Sequence, residues 1–505
     1  MRRNRIVVTA LLSLAFVLSA AAFAPAQGFK DLQGKVVEKT LPNGLKLIVL
    51  PRPGAPTVSM VTYADVGSVD EVNGRSGLAH VFEHMAFKGT STVGTLDFAK
   101  EQEAMKKEDE AFLAWREEKL RYPRPDAARL AELEKSLKAA QDEARKYVKA
   151  NEIGEIIERE GGQGLNAFTS FDQTVYLYSL PSNKLELWAA LESDRFTNPV
   201  IREFYKEKDV IIEELRMGDS QPVSRLVQDF LAVAYRAHPY RSMVIGELSD
   251  LQALRRSDAE NWFRRFYGAK NLTMVVVGDV DPVKTLPMLE KHLGRIPPGE
   301  KPGRIVTDEP AQRSEKRIMM TDPSQPFLVI AYHRPDINDP AYAAMEALAD
   351  ILGNGRSSRL NKALVKEKKY ALAVQCLQLG EKYPGIFGII AVPNQGHTNV
   401  ECEGAIYDEL EKIKAEKVTD AELAGYKARN RSRFLSQLDS NMGLAMGLAR
   451  SQNLHGDWRK LFARLEETNK LTAEDLQEAA RKIFVPTNRT VGEILTENPD
   501  TGLAQ

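Results

Sequence analysis

Residues 77–89 constrain this chain most: Gly77-Leu78-Ala79-His80-Val81-Phe82-Glu83-His84-Met85-Ala86-Phe87-Lys88-Gly89. Leu78, Val81, Phe82, Met85 and Phe87 ask for burial, yet His80, Glu83 and His84 sit among them. A buried helix carrying three titratable groups needs partners for them, and folding must bring those partners from elsewhere. On a helix His80 and His84 stand one turn apart and leave the same face, with Glu83 beside them. Two neutral imidazoles at that spacing suit zinc, which takes nitrogen ligands in a tetrahedral shell. A carboxylate beside such a metal is what a hydrolase uses as general base. The order H-x-x-E-H inverts the common zinc helix H-E-x-x-H. The competing reading is a chance cluster on a solvated face. The apolar neighbours argue against it, as does the scarcity of histidine, seven in 505 residues.

At that length more than one core is expected. The composition, 43% hydrophobic and 28% charged, is that of a folded protein. A net charge of -1 argues against a nucleic-acid partner. Residues 1–26 read as a secretory signal peptide: Arg2, Arg3 and Arg5, an apolar run over 6–24, then Ala24-Pro25-Ala26 as a cleavage signal. An exported protein is expected, in bacteria a periplasmic one, with no membrane attachment after cleavage. Losing three arginines takes the net charge to about -4. A retained anchor is the alternative, since the run is nearly long enough to span a bilayer. Cys376 and Cys402 could be oxidised after export or stay as buried thiols, and are too few for a thiolate zinc site.

Strands are expected over 36–40 and 45–50 around the turn Pro42-Asn43-Gly44, and over 57–66, followed by a polar loop into the histidine helix. Residues 97–160 are dense in Glu, Lys, Arg and Ala. The Pro-rich break at 121–126 and the 3-4 spacing of Leu130, Leu133, Leu137, Ala140, Ala144 and Tyr147 predict a protruding antiparallel helical hairpin. It is either a partner or substrate contact or a passive insertion packed on itself. Strands then follow over 165–171 and 174–180, helices over 184–195 and 205–217, and a buried strand at 275–277. A Pro- and Gly-rich linker is expected over 299–315, between a metal-bearing domain (27–298) and a second domain (316–505). That second domain reads as a strand from 327, a helix over 340–352, strands over 371–379 and 385–392, then helices. Gly353-Asn354-Gly355 lacks the ending of a phosphate loop. The similar order of elements hints at duplication: an α+β chain of two similar α/β-sandwich halves, mostly antiparallel sheet with helices on one face.

A third ligand must come from elsewhere, and the other histidines are scattered. The helix around 207–214 is the better source. Glu207 and Glu214 are two turns apart on one face, so one could bind metal while the other steadies a ligand; Glu213 points elsewhere. A solvated acidic face is the alternative.

The chain resembles the pitrilysin/insulysin/mitochondrial processing peptidase family. The resemblance rests on residues 77–90, Asn166-Ala167-Phe168-Thr169-Ser170, residues 207–214, His238-Pro239-Tyr240 and Val276-Val277-Gly278-Asp279-Val280-Asp281-Pro282. It implies that His80, His84 and Glu214 bind one zinc ion, that Glu83 is the general base, and that Glu207 is an acid behind the ligands. It also implies that Asn166 and Ala167 lie on an edge strand that pairs with an extended peptide substrate. The 130 positions from His84 to Glu214 exceed the family's usual spacing, and the hairpin at 97–160 is expected to account for most of that. A second departure concerns the Arg and Tyr, seven positions apart, that complete such sites: Lys366 and Ala373 occupy those places, and Tyr370 is out of register. Family members of this length work as two-chain clamshells. The expectation is therefore half of a clamshell, the metal-bearing chain of a heterodimer whose partner supplies Arg and Tyr. A non-catalytic scaffold subunit is the alternative.

Overall fold

The computed structural model describes residues 31–497; the expected signal peptide lies outside them. Two sheets organise the chain. The first runs β1 (Val37–Thr40), β2 (Lys46–Pro51), β3 (Thr57–Ala64), β4 (Gln163–Thr169), β5 (Thr174–Pro181) and β6 (Leu272–Gly278) along the chain. In space the order is β1-β2-β6-β3-β5-β4, antiparallel except for β2 beside β6. The second holds β7 (Lys316–Asp322), β8 (Phe327–Arg334), β9 (Ala371–Leu379), β10 (Gly385–Pro393) and β11 (Arg489–Thr496), in the order β7-β11-β8-β10-β9, antiparallel except for β7 beside β11. Dropping β1, the two orders superimpose strand for strand, including the one parallel pair.

Strand β7 opens the second domain at its expected boundary but precedes the first strand expected there, the one from 327. Its residues, Lys-Arg-Ile-Met-Met-Thr-Asp, alternate between half-buried and exposed at a sheet edge, so no apolar run marks it.

Each sheet carries a layer of helices on one face. In the first half Leu78, Phe82, Trp188, Phe204 and Phe266 pack there against Met60, Tyr176 and Met274. On the other face of each sheet lies a helix lent by the opposite half. Asn441–His455 lays Leu444, Ala445 and Leu448 on Ile48, Val61 and Val275 of the first sheet. Pro222–Ala234 lays Leu226, Phe230 and Leu231 on Val329 and Ile494 of the second. Each of these helices sits in its own half between the strands corresponding to β5 and β6, so the exchange is mutual.

The expected hairpin comprises Phe98–Lys119 and Ala127–Arg145, packed on one another. Its first arm is also rooted in the body. Phe112 stacks on Tyr205 with ring centroids 4.2 Å apart, and Arg202 donates to the fully buried Glu101 at 2.6 Å. Cys376 and Cys402 are buried free thiols. Among the described residues no helix is long and apolar enough to cross a membrane.

The exchange ties the halves together energetically. Leu448 is fully buried against a sheet of the other half. Truncation to alanine should cost about 3 kcal/mol and lower a single calorimetric transition for the whole chain. A variant that unfolds in two separate steps, one at the wild-type temperature, would contradict that coupling.

Candidate metal centre and peptide edge

The histidine helix, Leu78–Met85, starts on a left-handed residue, Gly77 at φ 85°. A side chain there would meet the Ile245 carbonyl oxygen at 2.7 Å and Leu251 at 2.8 Å, so the position requires glycine. Glu71 caps this start: its carboxylate accepts the Gly77 and Ala79 N–H groups, both at 2.8 Å. Burial pushes the Glu71 carboxyl up to about 8. Leu78, Val81, Phe82 and Met85 face the core, with Phe82 against Phe263 and Tyr267. The same helix therefore keeps His80, Glu83 and His84 half-buried, and His80 and Glu83 line a cavity of about 880 Å³ together with Ala167, Thr169 and Glu214.

The structure brings three of the expected groups together. Ligand-type atoms of His80, His84 and Glu214 all lie within 4.8 Å of one another. The two imidazoles stand edge to face, centroids 4.9 Å apart. His80 Nε2 is 3.9 Å from Glu214 Oε2, while His80 Nδ1 is buried and finds no partner. Burial and the neighbouring His84 lower the His80 pKa, favouring the neutral ring.

Glu207 sits behind His84. Its Oε1 lies 3.0 Å from His84 Nδ1, which leaves Nε2 of that ring for the site. Its Oε2 accepts Lys88 Nζ at 2.6 Å. The hydrogen bond with His84, followed by that with Lys88, holds the Glu207 carboxyl down at about 2; the same bond raises the pKa of His84. Glu213 turns outward and pairs with Arg216.

The donor set fits zinc. Around one ion with bonds of about 2.0–2.1 Å, neighbouring tetrahedral donors stand roughly 3.4 Å apart. Atoms already within 4.8 Å reach that spacing by side-chain adjustment. Two imidazole nitrogens and one carboxylate oxygen leave a position open, as catalytic zinc sites do.

Strand β4 ends the first sheet and, among the described residues, pairs only with β5, which leaves its outer edge open. Asn166 and Ala167 lie on it, opposite Leu177 and Tyr176, just past a break in register after Gln163. Thr169, the last residue of β4, donates its hydroxyl to Glu83 Oε2 at 2.6 Å. In the second half, Lys366 Nζ bonds to the Arg356 carbonyl, Ala373 is an exposed residue of the edge strand β9, and Tyr370 rests on His397 with centroids 5.0 Å apart.

Sequence reasoning passed over Glu71, Lys88 and Thr169. Lys88 lies just past the end of the helix at Met85, where helical spacing no longer applies. Glu71 and Thr169 act across loops and carry no such spacing.

Two family models match the chain. One, described as insulinase (peptidase family M16), covers residues 47–120 and 139–247; its break falls at the hairpin turn and the start of the second arm, and the first arm lies inside the match. The other, described as peptidase M16 inactive domain, covers residues 253–430. The zinc protease PqqE of Helicobacter pylori is 27% identical over 490 residues, 95% of this chain and 96% of that protein. The mitochondrial-processing peptidase subunit beta of Saccharomyces cerevisiae is 22% identical over 86% of each. A crystal structure of a protease from Helicobacter pylori matches with a TM-score of 0.76 at 25% identity, covering 91% of this chain and 99% of that one. The first half of the periplasmic protease PqqL from Escherichia coli shares the fold, with a TM-score of 0.66 at 19% identity over 92% of each chain. With its histidine helix, acidic helix and second half all inside these matches, the chain belongs to peptidase family M16.

Proposed function

We propose that this chain is an exported zinc endopeptidase that hydrolyses unfolded or short peptides held in extended form, and that it is the metal-bearing subunit of a heterodimer. One observation carries the reading: two imidazoles and a distant carboxylate converge beside Glu83 at the mouth of a cavity walled by an open strand edge. His80, His84 and Glu214 would hold one zinc ion, and Glu207, backed by Lys88, orients the His84 ring. Zinc bound there supplies a Lewis acid for the scissile carbonyl and eases deprotonation of a water.

The remaining work falls to the chain's own groups. The free edge at Asn166 and Ala167 offers backbone N–H and C=O groups to an extended peptide, giving affinity with modest side-chain demands. Glu83 takes a proton from the attacking water on one carboxylate oxygen and returns it to the leaving amine. The helical face behind it, with Phe82 and Met85 fully buried, keeps that carboxylate from swinging inward.

Export is supported by the basic and apolar N-terminal pattern and by the likeness to a periplasmic protease. The heterodimer is supported by Lys366 and Ala373 where an Arg and a Tyr are expected, and by relatives named as a peptidase subunit beta. The same two residues favour a second reading, a peptide-binding subunit without activity of its own.

Metal analysis with activity measurement separates the readings. Wild-type protein should carry one zinc per chain; Glu83→Gln should keep it and lose turnover by roughly 100- to 10,000-fold. Wild-type protein without zinc would favour the non-catalytic reading. Glu207→Gln should weaken zinc binding or turnover by about 10- to 100-fold, measured by chelator competition; a variant matching wild type in both would remove Glu207 from the site. The isolated chain should cleave an unstructured peptide slowly and gain activity when a second family chain bearing Arg and Tyr is added. Full activity from the isolated monomer would overturn the heterodimer.

A further inference from the structure

The Glu83 carboxylate has two oxygens with different surroundings. Oε2 accepts the Thr169 hydroxyl at 2.6 Å, and among the described residues Oε1 takes no hydrogen bond. Thr169 Oγ1 also lies 3.5 Å from Thr174 Oγ1, but a hydroxyl has one proton, and the shorter, carboxylate-directed contact is the stronger claim on it. Thr174 spends its own proton on the Val66 carbonyl at 3.0 Å. Thr169 follows Ala167 by two positions, so both side chains leave β4 on the same face, and both line the cavity with Glu83. The strand that offers its free edge to a peptide thus also carries the donor to the carboxylate.

The chain directly after Thr169 is held from three sides. Ser170 N bonds to the Gln173 carbonyl at 2.8 Å and closes the turn. Ser68 N and Val69 N bond to the Ser170 and Phe171 carbonyls, at 3.2 and 2.9 Å. Asp172, buried at 4% exposure, accepts the Tyr240 hydroxyl at 2.6 Å through one oxygen; through the other it accepts the Glu381 and Lys382 N–H groups of the second half, each at 3.2 Å. Tyr240 comes from His238-Pro239-Tyr240, a motif with no place in the zinc chemistry, and its oxygen also accepts Tyr383 N at 3.3 Å. The turn between β9 and β10 therefore bears on the end of β4 through Asp172.

We propose that Thr169 is a positioning residue for Glu83, and that the buried Asp172–Tyr240 junction makes this positioning depend on the second half of the chain. Thr169 occupies Oε2 and so fixes the rotamer that leaves Oε1 facing the cavity, where a proton can be taken. The second half, which brings no ligand, holds the strand end from which that hydroxyl reaches. This deepens the peptidase reading and rests on it.

The test uses the full chain, loaded with zinc and assayed with its partner chain on a fluorogenic unstructured peptide. Thr169→Val should lower kcat by roughly 10- to 100-fold while KM, zinc stoichiometry and peptide affinity in a Glu83→Gln background stay within about two-fold. Thr169→Ser, which restores the hydroxyl, should recover most of kcat. Tyr240→Phe should give a smaller loss, again in kcat alone. Wild-type kcat in Thr169→Val, a serine variant as impaired as the valine one, or a loss carried by KM or zinc would overturn the proposal; wild-type kcat in Tyr240→Phe would overturn the link to the second half. A readout free of turnover separates this from the peptidase reading. In crystals of Thr169→Val, Glu83 should leave the rotamer seen in wild type, and an unmoved Glu83 counts against positioning even if no peptide is cleaved by any form.

Discussion

The hydrogen bond between His84 Nδ1 and Glu207 Oε1 is the contact on which the rest of this site depends. It spans 123 positions of chain and sets which nitrogen of His84 is left over. It fixes the acidic helix, Phe204–Asp219, against the histidine helix in the one rotational setting that also brings Glu214, two turns on, to His80. A rotation of either helix by one residue would point the carboxylates at the core or at solvent. Lys88 supports the arrangement from the far side by taking the other Glu207 oxygen. That cation offsets part of the negative charge that Glu83, Glu207 and Glu214 bring to the two imidazoles.

The exchanged helices explain why one chain holds both halves so closely. Each sheet has two apolar faces, and the helices between its own strands cover only one of them. One helix from the other half packs across the second face in each case and is the main part of its cover. Neither sheet is then a free-standing unit, and the second half becomes part of the scaffold for a site whose ligand-type residues, among those described, all come from the first half. The Asp172 junction is the polar counterpart of this apolar exchange and lies at the end of the strand beside the cavity.

Much of this was legible in the sequence, and the gaps have physical reasons. His80, Glu83 and His84 stood out because helical spacing converts directly into shared faces, whereas the same spacing for Glu207 and Glu214 left a solvated acidic face open and only the family resemblance implied their roles. Most strands declared themselves through apolar runs or alternation. Strand β7 did not, because a half-exposed edge strand rich in Lys, Arg and Met has no clear apolar face. The exchange of Pro222–Ala234 and Asn441–His455 was invisible for another reason: an amphipathic pattern shows that a helix will bury one side and is silent about which sheet receives it. The rooting of the hairpin arm on Tyr205 and Arg202, the Glu71 cap and the Thr169 bond are contacts across loops, where sequence separation carries no geometric content.

X-ray absorption at the zinc edge of the purified wild-type chain examines the central claim most directly. The expected spectrum is a first shell of nitrogen and oxygen at about 2.0–2.1 Å with two imidazole contributions and no sulphur, and it should lose one light-atom ligand in Glu214→Gln. A chain that takes up no zinc, or a shell unchanged by that substitution, would contradict the convergence of His80, His84 and Glu214 on one ion.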